Sequence, residues 1–171
     1  MLIVMAGLPG AGKSRLADDL GAALGWPVLS VDPVESAMWA VGIDRDQPTG
    51  IAAYVVVEVL AEHQLRLGSG VVVDAVNDVP EARAQWTGLA DRTGAALAWV
   101  EVFCSDADVH RQRLESRRRD LPVAMEPSWD SLPARAERLA AWTAPRIRVD
   151  SLDDPAANLA GVLSALGRTA G

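Results

Sequence analysis

The chain has 171 residues, half of them apolar and 23% charged, which is enough for one globular domain with a sizeable core. Its formal net charge of −7 argues against broad binding to nucleic acid or to an anionic membrane, while leaving room for a local basic site that takes a small anion. One cysteine and two histidines without ligand spacing argue against an internal disulfide and a Cys/His metal centre.

The first element is an apolar run over residues 2–6, read as a strand. No basic stretch precedes it, and no apolar stretch in the chain reaches membrane-spanning length, so the expectation is a soluble, cytoplasmic protein. The run passes directly into Gly7-Leu8-Pro9-Gly10-Ala11-Gly12-Lys13-Ser14. This is strand, glycine-rich turn and helix, with G-x-x-x-x-G-K-[ST] in the turn. Glycines let backbone N–H groups wrap around phosphates, and the following helix offers its unpaired N–H groups and positive dipole end. Gly7, Leu8, Pro9, Gly10, Ala11, Gly12, Lys13 and Ser14 are therefore the expected nucleotide cradle. Lys13 would reach the β- and γ-phosphates and the Ser14 hydroxyl would ligate Mg²⁺. Lys13 is the only lysine; every other basic side chain is arginine. A position that keeps the compact ammonium in so arginine-rich a chain points to a need for its shape.

Beyond the loop, apolar runs at 27–31, 71–74, 97–103 and 146–150 alternate with helical patterns at 13–24, 33–41, 50–67, 80–93, 106–119, 128–142 and 155–166. Continuous apolar strands between helices predict an α/β fold, a buried parallel sheet covered on both faces. Thr49 is the expected cap of the 50–67 helix, and Gly68-Ser69-Gly70 its stop. Pro133 fits the 128–142 helix only in its first turn.

Ligands of open parallel sheets bind beyond the carboxyl ends of the strands, which directs attention to what ends each run. The second run ends at Asp32 and the third at Asp74. Asp74 after three valines reads as a Walker-B acid acting on Mg²⁺. Asp32 reads either as a general base for an acceptor hydroxyl or as a helix cap before Pro33. Further on, Arg113 and Arg117 lie four apart on the 106–119 helix and so share a face, at the edge of an irregular stretch that would form a lid over about 117–130. Arginines there would neutralise charge on a transferred phosphoryl group. Arg135 and Arg138 are weaker candidates of the same type. The long segment 33–67 contains Trp39 and Tyr54 and is the expected acceptor-binding region; both aromatics are open to a simpler reading as core. His63 reads as either solvated or core, and Cys104 as an inert, buried thiol.

The phosphate loop at the N-terminus, the stretch Ser30-Val31-Asp32-Pro33-Val34-Glu35-Ser36-Ala37-Met38 and the run Val73-Asp74-Ala75-Val76-Asn77 together resemble the small P-loop kinases. This nucleotide-kinase-like group includes shikimate kinase, gluconate kinase, chloramphenicol phosphotransferase and polynucleotide kinase, and the chain is most similar to the stand-alone AAA-domain kinases and to chloramphenicol phosphotransferase. The resemblance implies a three-layer fold with a five-stranded parallel sheet in the order 2-3-1-4-5, ATP as donor and Mg²⁺ as cofactor. It implies Asp32 as base, Arg113 and Arg117 as adenine-stacking and lid arginines, and a turn after Asp150 near the adenine. Only Arg45 is basic between Asp32 and the long helix, whereas nucleoside monophosphate kinases carry an arginine there for an acceptor phosphate. A neutral hydroxyl compound is the expected acceptor. A polynucleotide or sugar-nucleotide kinase, and a nucleotide-binding switch that transfers phosphate to nothing, stay open as alternatives.

Overall fold

The computed structural model describes residues 1–117, 121 and 127–168. In chain order these form β1 (Leu2–Ala6), α1 (Lys13–Leu24), β2 (Val28–Ser30), α2 (Val31–Ala40), α3 (Thr49–Arg66), β3 (Val71–Asp74), α4 (Pro80–Thr93), β4 (Leu97–Phe103), α5 (Ala107–Ser116), a 3₁₀ turn (Trp129–Ser131), α6 (Leu132–Ala140), β5 (Ile147–Asp150) and α7 (Pro155–Ala165). The strands make one sheet in the order β2-β3-β1-β4-β5, parallel throughout. Fold class and strand order are as the sequence and its resemblance imply.

β1 is the central strand and its five residues are fully buried. Its side chains alternate between two cores, as the two-residue period of a strand requires. Leu2 and Val4 join Val71, Val73, Val57, Trp86 and Leu89 beneath α3 and α4. Ile3 and Met5 join Val72, Val100, Leu16, Leu20 and Val162 beneath α1 and α7. Both faces are thus dry at the centre of the sheet, which is why β1 and the valines of β3 read as unbroken apolar runs.

Several boundaries differ from expectation, each for a local reason. Asp32 does not end a strand and is not a cap. β2 stops at Ser30, which is itself the N-cap, and Asp32 sits in the first turn of α2, where a carboxylate meets the positive end of the helix dipole. Thr49 is the first residue of α3 rather than its cap. Its hydroxyl donates to Glu35 Oε1 at 2.8 Å and accepts from Trp39 Nε1 at 3.0 Å, tying α3 to α2. α5 stops at Ser116, with Arg117 extended at φ −57°, ψ 129°, so Arg113 and Arg117 share no helical face. The 128–142 stretch divides into the 3₁₀ turn and α6, with Pro133 in the first turn of the helix, where its missing N–H matters least. Most of the expected lid, 118–120 and 122–126, lies outside the described residues. Cys104 is half-buried rather than buried, and His63, open to either reading in sequence, is exposed.

Candidate active site

The phosphate loop leaves β1 through Gly7, whose φ of +134° and close approach to β4 both demand glycine. A Cβ there would collide with the carbonyl oxygen of Val102. Gly7 N–H donates to Val76 O at 3.1 Å and Ala11 N–H to Leu8 O at 3.1 Å, which curls the loop. Gly12, at φ +100°, takes the N-cap place of α1 with no side chain to block the helix end. Lys13 is 8% exposed, and its ammonium donates to Leu8 O at 3.0 Å. The loop is also held from the side. His110, buried on α5, donates from Nε2 to Pro9 O at 2.8 Å, since a carbonyl can only accept. The edge of its ring meets Trp129, with centroids 5.2 Å apart.

Asp74 ends β3 opposite Ser30 in the parallel register. Its Oδ2 accepts from Ser30 Oγ at 3.4 Å, while its Oδ1 is buried with no hydrogen-bond partner. An orphaned buried carboxylate oxygen is costly unless a cation or a bound water takes it up. Asp74 and Ser14 line the same cavity, so the donor set fits Mg²⁺, whose remaining ligands would be water and phosphate oxygens. Among the described residues no cluster of three or more His, Cys, Asp or Glu could hold a metal unaided.

That cavity, about 470 Å³, gathers Lys13, Ser14, Asp32, Asp74 and Arg117 on its walls, with Trp39 on the acceptor side. A smaller one of about 240 Å³ joins Gly10, Gly12, Lys13 and Ser14 to Arg113 and Arg117. Although no helical face aligns them, both arginines therefore reach the phosphate loop. Arg113 donates to Ser151 Oγ at 2.8 Å and reaches Ser151 O at 3.5 Å. It borders a third cavity of about 240 Å³ lined by Leu16, Val102, Val149, Ser151 and Asn158. Arg15, Asp19 and Asp153 complete its walls, and it lies beside the turn after Asp150, where the resemblance leads one to expect the adenine. Trp39 and Tyr54, open to either reading in sequence, are both half-buried, and each lines a cavity beside Asp32.

Two supports escaped sequence reasoning. His110 is one, hidden within a basic helix. The other is Asn77, which closes the Val73–Asn77 run of the resemblance but was given no role of its own. It holds φ +53° and is fully buried. Its Nδ2 donates to Met5 O at 2.6 Å, its Oδ1 accepts from Trp86 Nε1 at 2.9 Å, and its N–H donates to the Tyr54 hydroxyl at 3.3 Å. It thereby braces the end of β1, from which the loop springs. Burial pushes the Tyr54 phenol well above its usual range, so it stays neutral. Beside it, Asp78 accepts from Arg138 Nε at 3.1 Å, which occupies Arg138 in an ion pair on the acceptor side.

A glycine loop cradling a buried lysine, a hydroxyl and an acid at adjoining positions, and a 2-3-1-4-5 parallel sheet define the small P-loop kinase fold. Residues 2–140 match the family model described as AAA domain, and the chain belongs to that family. No curated protein matches it. Among solved structures, it is similar to a gluconokinase from Sinorhizobium meliloti 1021, with 20% identity over 98% of this chain and 92% of that one and a TM-score of 0.67. It is similar to the APS kinase CysC of Mycobacterium tuberculosis, with 17% identity over 97% and 96% and a TM-score of 0.63. It is also similar to Chaetomium thermophilum Kti12 in complex with ADP-AlF3, with 18% identity over 96% and 98% and a TM-score of 0.70. At these identities the likeness is one of fold.

Proposed function

We propose that the protein is an ATP-dependent phosphotransferase that moves the γ-phosphoryl group to a hydroxyl of a small molecule. The observation that carries this is the shared cavity. Asp32 opens onto the same space as Lys13, Ser14, Asp74 and Arg117, and a switch that hydrolyses ATP has no use for a base on the acceptor side. The likenesses to a gluconokinase and an APS kinase support a kinase.

In this reading the loop N–H groups and Lys13 hold the β- and γ-phosphates. Ser14 and Asp74 would hold Mg²⁺, which when bound neutralises phosphate charge. Arg113 packs the adenine side, and Arg117 faces the transferred group. The acceptor hydroxyl lies in line with the β–γ bridge. Its oxygen bonds to γ-phosphorus as the bridging bond breaks to ADP, and its proton passes to the Asp32 carboxylate and on to water. Positioning and charge neutralisation supply most of the rate.

The test is transfer of label from γ-labelled ATP to a panel of metabolites and antibiotics bearing hydroxyls. Asp32→Asn is expected to leave nucleotide affinity nearly unchanged and to lower transfer on the order of 10²–10⁴-fold. Unchanged transfer in that variant would remove Asp32 as the base, and full activity in Lys13→Ala would sink the proposal as a whole.

A further inference from the structure

α3 buries one apolar face and leaves another outside. Ala53, Val57 and Ala61 turn into the core. Outward, Ile51, Val55 and Val59 form one row at four-residue spacing, and Ala52, Val56 and Leu60 form the row beside it. All six are exposed, Ile51 and Val59 by 71% and 61%. A helix that simply faces water carries polar groups there, as α4 does with Glu81, Thr87 and Asp91. Glu58 and Glu62 of α3 reach sideways to Arg92 of α4, and beyond Leu60 the outer face turns polar with His63 and Arg66. Scattered exposed aliphatics are ordinary, but these are contiguous over three turns and rimmed by charge. Ile51 also lines the cavity beside Asp32 that Tyr54 borders, so the surface starts at the rim of the candidate site.

The six side chains expose on the order of 500 Å² of aliphatic surface, at the upper end of the largest patch a monomer shows. Homodimer interfaces are about 65% apolar, so this is the apolar content of an interface of about 800 Å² per partner, the standard size. A membrane fits the patch poorly, because helices that lie on lipid flank their apolar face with Lys and Arg, and the flank here holds Glu58 and Glu62. A second copy fits it well. Two chains of net charge −7 repel where charged surface meets charged surface, and this face lets them approach without that contact. Its two rows are ridges with a groove between them, so a two-fold axis can set each ridge of one copy into the groove of the other. We propose that the protein is a two-fold homodimer held by α3 packing on α3 of a second copy. The contact uses none of the groups assigned to phosphoryl transfer, and holds whether or not that assignment does.

The experiment is sedimentation equilibrium of the full chain between about 1 and about 100 µM. One species of twice the chain's mass is expected at the upper concentrations. Val55→Glu with Val59→Glu sets two like charges in the middle of each patch and is expected to weaken association on the order of a hundredfold. Both positions are exposed and glutamate is a better helix former than valine, so the variant should fold, as circular dichroism and Tm would show. Val55→Gln with Val59→Gln adds no charge and is expected to raise the dimer dissociation constant about tenfold. Ala84→Glu, on the exposed side of α4, is expected to leave the dimer intact. The proposal is overturned by a wild-type chain that stays monomeric at about 100 µM, whether or not it floats with phosphatidylcholine vesicles. A spread of larger masses without a discrete dimer overturns it too, as does a dimer that survives both α3 variants or is broken by Ala84→Glu.

Discussion

Lys13 and Asp74 are both buried polar groups held ready for something absent from the protein's own atoms. The ammonium of Lys13 rests on a carbonyl of its own loop, 3.0 Å away. A guanidinium is planar and forked, and cannot fold back into that curl. Lys13→Arg is therefore expected to keep the charge yet lower kcat/KM by about 10² or more, read in the same transfer assay. Asp74 carries the opposite tension, because its unpaired Oδ1 destabilises the fold. Asp74→Asn should raise the unfolding free energy by about 1 kcal/mol in urea titration while losing most Mg²⁺-dependent turnover. The glycine loop was legible because its chemistry is written in eight consecutive residues. Asn77 and His110 were not, because their roles are made by carbonyls 72 and 101 residues away, and nothing local distinguishes them.

Among the elements, α5 shows what a sequence states clearly and what it leaves to context. Its start was plain. Asp106 caps it, accepting from Asp108 and Val109 N–H groups at 2.9 and 3.0 Å. Its end was not, since arginines have good helical propensity and nothing local announces that the helix stops at Ser116, with Arg117 extended. Asn77 offers the sharper test of how an element is held. Asn77→Ala would leave Met5 O and Trp86 Nε1 buried without partners and force alanine into left-handed backbone. A loss of about 2–5 kcal/mol is expected by denaturant unfolding. The turn after β5 should respond to acid. Burial pushes Asp150 up, but hydrogen bonds from Ser105 and Leu152 outweigh it and hold the carboxyl below its usual value. A lowered folded value means the contribution is complete above the ordinary Asp range, near pH 4, and is lost as pH falls through the folded value. Amide exchange at Ser105 and Leu152, compared with that of β1, is expected to quicken below about pH 4 and to be unchanged between pH 5 and 7.

Across the whole molecule, the parallel sheet sets the carboxyl ends of β1, β2 and β3 side by side, and that alone brings Lys13, Asp32 and Asp74 to one cleft. Alternating runs and helices were enough to foresee a buried parallel sheet. The order of its strands is a matter of long-range pairing, such as Val4 with Val73 on one side and Trp99 on the other, and came from resemblance rather than pattern. The far edge is fastened by ions: buried Glu101 on β4 accepts from Arg146 and, at 3.2 Å, from Arg148 of β5. Nucleotide should stabilise this assembly as a unit. An ATP analogue at a hundred times its Kd is expected to add about 2.7 kcal/mol to the unfolding free energy, and to add nothing to Lys13→Ala, as calorimetry can establish.

A chain with one lysine, and that lysine 8% exposed at the phosphate loop, has a single ε-amine to report on its own nucleotide site. Reductive methylation with ¹³C-formaldehyde would place one ε-dimethylamine resonance there. Its chemical shift and rate of formation then follow loop occupancy directly, without mutation or bulky dye.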